Sequence, residues 1–135
     1  MGLDNIWNMP KGKELDVVTF DPPLKLAVGM LTDPEFSFRG KCYASFIREI
    51  AGVDLYDDLD NETVLKVAAA LERFVAGLSD KDIEWQAFHC FDQELGDVVR
   101  WHEPAVHGLP VAQMRDLSRM FRAFGDAGYI LVAWF

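Results

Sequence analysis

Cys90, His102 and His107, with His89 close by, are the side chains of this sequence whose types could bind a soft metal ion or form a thiol–imidazole pair for nucleophilic catalysis. Their spacing argues against both. Zinc ligands come in tight pairs such as CxxC, or as HExxH on one continuous helix. His102-Glu103-Pro104-Ala105-Val106-His107 is one residue too long, and its proline interrupts a helix. Cys42 and Cys90 both stand among aromatic residues, on expected apolar faces where a thiol stays protonated. No GxSxG, GxxxxGK[ST] or GxGxxG occurs. The residues thus predict no catalytic group, no metal and no cofactor. A small metal- or cysteine-dependent enzyme using Cys90, His102 and His107 is the alternative.

Carboxylates are the stronger signal. Between Asp54 and Glu103 acids outnumber bases by nine, which accounts for the whole net charge of −9. The densest run, VDLYDDLDNE, places Asp54, Asp57, Asp58, Asp60 and Glu62 together with no cation among them. A purely structural explanation is a solvated interhelical loop whose last acids favour a helix N-terminus. A calcium loop is disfavoured, because the glycine turn and the distal glutamate are missing. The functional explanation is a docking face for a basic protein, a toxin or nuclease whose cationic cleft the acids would fill. Tyr56 would be its aromatic anchor, and Asp82, Glu84 and Trp85 would extend it. A pI near 4.6 argues against direct nucleic-acid binding. Arg39 and Lys41 oppose the dipole of the helix they precede, which predicts pairing with the acidic stretch or with Glu35, the alternative being a bound anion.

These residues need elements to hold them. Half the residues are hydrophobic, enough for one packed domain over 1–135, with 1–13 as an arm. The expected fold is α+β and mainly helical: four or five helices with a small antiparallel sheet made from strands at about 14–20 and 129–135. Asp21-Pro22-Pro23 reads as a helix start leading through Leu24, Ala27, Val28 and Leu31. Asp33-Pro34-Glu35 reads as a second start or a turn. Arg39 to Gly52 reads as a helix stopped by its glycine. Asn61 to Ala76 is the best helix, with Val64, Ala68, Leu71 and Val75 on one stripe and Asp60 or Asn61 as cap. Ser79 to Asp82 resembles a capping box, so Ile83 to Phe91 reads as helix, with strand as the other choice. His102 to Gly108 reads as a loop, and Pro110 opens a last helix carrying Val111, Met114, Leu117, Phe121 and Phe124. No apolar run is long enough to span a bilayer, no secretion signal is recognisable, and two cysteines suit a reducing compartment, so the expected location is cytoplasmic.

The pattern FSFRGKCYASFIREIAGVDLYDDL, followed by a long helix and ending GYILVAWF, resembles a group of small bacterial proteins. Some of these are uncharacterised, and others are immunity proteins that neutralise a neighbour's toxin. The likeness covers residues 15–135 and rests on aromatic and glycine landmarks. It brings no active-site residue and implies an inhibitor. A structural or regulatory subunit, paired across a homodimer through its apolar C-terminus, is a further alternative, and the oligomeric state stays open.

Overall fold

A computed structural model describes residues 2–26, 36–92 and 94–135. Leu3, Asn5 and Trp7 are buried at every second position, with Asp4 buried as well beside Arg39, and Asp4–Asn8 forms the first strand, β1. It pairs antiparallel with β6 (Ile130–Trp134) on one side and β2 (Ser37–Phe38) on the other. The register aligns Trp7 with Leu131 and Asn5 with Ala133. A 3-10 turn at Gly40–Cys42 leads into helix α1 (Ala44–Ala51), followed by α2 (Asn61–Ala76). A hairpin of β3 (Glu84–Asp92) and β4 (Asp97–Val106) comes next, then β5 (Leu109–Pro110) and α3 (Val111–Asp126).

The core forms where the three helices meet the first sheet. Trp7 stacks on Phe124 of α3 with ring centroids 4.5 Å apart and meets Phe121 edge-on at 5.1 Å. Val64, Val67, Ala68 and Leu71 of α2 face Met114, Leu117, Phe121 and Phe124 of α3, all buried. Gly125 lets these helices approach closely, since a Cβ there would lie 2.8 Å from Leu65 Cδ2.

Several expectations are corrected. The described residues contain three α-helices and two three-stranded antiparallel sheets, with 36% helix against 26% strand, so the fold is not mainly helical with four or five helices. The N-terminal strand lies inside the expected arm, and Glu14–Phe20 is not a strand. There only Val18 is buried, with Leu15 and Phe20 half-buried, a spacing that does not alternate. This segment runs irregularly beside the first sheet, where Asp16 O accepts from Tyr129 Oη at 2.8 Å. Residues 21–26 are not helical, and Ala27 to Glu35 lie outside the described residues.

The capping box makes its hydrogen bond, Ser79 N to Asp82 Oδ2 at 3.0 Å, but Asp82 N donates to Ser79 O and closes a turn. The aromatic run after it has a downstream partner in Val98 to Val106, so it pairs as β3 rather than coiling. The expected loop at His102 to Gly108 is mostly strand. Only His107 and Gly108 turn, both at positive φ (52° and 79°), as a two-residue hairpin loop requires. Of the two cysteines expected to be buried, Cys42 is exposed. Arg39 Nη1 sits 3.8 Å from the buried Asp4 carboxylate, an acid outside the stretch from Asp54 to Glu103, while Glu35 lies outside the described residues.

Candidate functional site

The acidic run becomes the link between α1 and α2. Gly52 reverses the chain at φ 67° and ends α1, which brings Val53 and Leu55 inward. Val53, Leu55 and Leu59 are buried pins, so Asp54, Tyr56, Asp57 and Asp58 are turned outward between them. The fully buried Asn5 donates from Nδ2 to Leu55 O at 2.9 Å, and Leu59 exchanges two backbone bonds with Leu131 of β6 at 2.8 and 3.0 Å. The loop is therefore tied to the sheet at two points.

Three carboxylates have duties in this loop. Asp54 Oδ1 accepts from Tyr56 N at 2.9 Å and its other oxygen meets Arg48 at 3.2 Å. Asp58 Oδ1 accepts from Ala133 N at 2.9 Å, continuing the β6 edge. Asp60 caps α2 by accepting from Thr63 N at 2.8 Å. Donation from the Tyr56 N–H and the Arg48 guanidinium holds Asp54 below the usual carboxylate range, and the Thr63 donors do the same for Asp60. Both stay ionised at neutral pH. Asp57 and Glu62 are exposed and make no side-chain hydrogen bond or ion pair among the described residues. Asp54 with Arg48 is the loop's one ion pair there.

Aromatic surface adjoins these charges. Tyr56 packs edge-on against Phe135 with centroids 5.4 Å apart, and Phe135 remains 67% exposed. Trp134, also exposed, follows the Ala133 that Asp58 holds. Trp134 and Phe135 escape a sequence reading because GYILVAWF looks like one continuous buried strand. Within that run Tyr129 and Leu131 are buried, whereas Trp134 is exposed although it pairs with Asp4, and Phe135 lies beyond the ladder.

Asp82, Glu84 and Trp85 are not part of this surface. The acidic loop precedes the first residue of α2 and these three follow its last, and 16 residues of helix span about 24 Å. Asp82 is held below the usual range by the Ser79 donors, Glu84 is exposed, and Trp85 is 71% exposed at the root of the β3–β4 hairpin. A cleft of about 530 Å³ opens beside them, lined by Arg73, Gly77, Asp82, Glu84, Gln86 and His107, of mixed sign.

The soft ligands are not assembled either. In the backbone register Cys90 is paired with Val99 and His102 with Ala87, three rungs apart on the ladder. His107 sits in the turn beyond β4. Among the described residues no three His, Cys, Asp or Glu side chains are grouped to hold a metal ion. At Cys42 desolvation pushes the thiol up, against the lowering effect of Arg39 and Lys41, which disfavours the thiolate. No helix among the described residues is long and apolar enough to cross a membrane. No family model, curated protein or solved structure matches the chain.

Proposed function

We propose that this protein is a non-catalytic binder of a cationic protein, acting as an immunity protein or nuclease inhibitor acts, by covering a basic cleft. The observation that carries the reading is the Asp54–Glu62 link. Asp54 and Asp60 are held ionised by their hydrogen-bond donors, three buried apolar side chains pin the link, and exposed Tyr56, Trp134 and Phe135 border it. A rigid field of one sign speeds encounter with a basic surface, and aromatic side chains supply contact area once water leaves.

Asp57→Asn with Glu62→Gln tests this without touching a cap or a strand edge, unlike changes at Asp58 or Asp60. Against a panel of immobilised basic nuclease domains, the wild type should bind at least one with an association rate that falls steeply with salt. The double variant should associate roughly three- to ten-fold more slowly at low salt and show a flatter salt dependence. Absence of salt-dependent binding across the panel, or an unchanged rate in the variant, sinks the reading.

A further inference from the structure

The β3–β4 hairpin stands out from the domain, and among its described side chains only Ala105 and Val106, at its root, are buried in the core. Nine and ten residues long, its strands extend about 30 Å at ~3.4 Å per residue. Two strands alone are marginally stable in water. The β4 edge is taken by β5 near the root and carries Pro104, which has no N–H to offer. The outer edge of β3 is open among the described residues. Between Trp85 and Phe91 it contains no lysine, arginine, acid or proline, the devices by which proteins close such edges.

The register sorts charge by face. One face carries Glu84, Asp97 and Glu103 around the stacked Phe88 and Trp101 rings, 6.0 Å apart at 27°, and has no cation. The other face carries His89, Arg100 and His102 with exposed Trp85. A second copy laid on this arm would bring the same acid excess, from a chain of net charge −9, against it. The charges favour a cationic occupant instead.

We infer that the open edge of β3 takes up an extended cationic segment of a protein partner as an added strand. Its arginines would alternate onto the Glu84–Phe88–Trp101–Glu103 face, where guanidinium groups meet both carboxylates and aromatic faces. Its apolar residues would lie beside Trp85 and Ala87 on the other face, away from Arg100. This contact is separate from the Asp54–Glu62 link and does not depend on it. Backbone pairing supplies affinity and the alternating side chains supply register.

Titration of the isotope-labelled full chain with a capped (Arg-Val)5 peptide, followed by amide NMR, tests the inference. Shift changes and slowed hydrogen exchange should centre on residues 85–91. Glu84→Lys with Gln86→Lys, both at non-buried positions, should weaken binding at least ten-fold, and a (Glu-Val)5 peptide should not bind. The inference is overturned if shifts fall on 54–62 instead, if the acidic peptide binds equally, if the lysine variant binds unchanged, or if no binding occurs. It is also overturned if light scattering shows the chain already dimeric with residues 85–91 protected before peptide is added.

Discussion

At the residue scale the acidic link depends on a contact far from it in sequence. Gly40 packs against Asn5, and a Cβ at Gly40 would lie 1.7 Å from Asn5 Oδ1. Asn5 cannot retreat, because it is fully buried and its Nδ2 holds Leu55 O. Gly40→Ala must therefore displace the amide and leave the buried Leu55 carbonyl without its donor. Loss of such a bond costs about 1–3 kcal/mol, before the steric clash is counted. We expect Gly40→Ala to lower the urea midpoint and to broaden amide signals of residues 53–59 before the rest of the chain. A variant as stable as the wild type would show that Asn5 is not the tie we describe. Neither residue could be picked out from sequence. Asn5 sits in a strand of unfavourable composition, and nothing around Gly40 in the sequence points to Asn5 as its neighbour.

At the element scale, the legible parts are those whose own sequence carries a start, a stripe and a stop. Asn61–Ala76 forms a helix with the bounds its periodicity gives, capped by Asp60, and Val111–Asp126 follows Pro110 with its expected stripe buried. Elements decided by a distant partner were not legible. Ile83 to Phe91 suits either period, and pairing with Asp97–Val106 decides it. The strand that meets β6 is the N-terminal segment that buries most of its residues, and Asp4–Asn8 does so while Glu14–Phe20 buries only Val18. The candidate site divides the same way: the exposure of the Asp54–Glu62 link is a local property legible in its charges, whereas its distance from Trp85 is a tertiary fact. One element-level expectation follows. Because Ala105 and Val106 are the only buried residues among the arm's described side chains, replacing residues 86–103 with an Asn-Gly turn should leave cooperative unfolding intact, with the midpoint shifted by only a few degrees. Loss of cooperative unfolding in a thermal melt would make the arm part of the core.

At the scale of the whole molecule, the acid excess couples stability to pH. Asp54, Asp60 and Asp82 are held down by backbone and side-chain donors, and Glu72 by Arg122 of α3, which also bonds Asp126. Each binds protons less readily folded than unfolded. Their contribution is thus fully present above the unfolded values of 3.8 for Asp and 4.5 for Glu, and is lost as pH falls through the lower folded values. We expect the urea midpoint to decline below about pH 4 and these four groups to add no slope between pH 5 and 8. A midpoint unchanged down to pH 3 would contradict the hydrogen bonds assigned to them. All four are largely solvent-exposed, so screening keeps each contribution small and the decline gradual.

Helix α2 also acts as a spacer. With the aromatic-rimmed link before its first turn and the hairpin after its last, about 24 Å of helix separates two places that share no residue. Substitutions so far apart act independently, so their free-energy effects sum. A ligand that grips both ends gains from tethering, since its second contact forms at the high effective concentration set by the first. The rigidity of that helix then fixes which ligands qualify: those whose two gripping points are a helix-length apart.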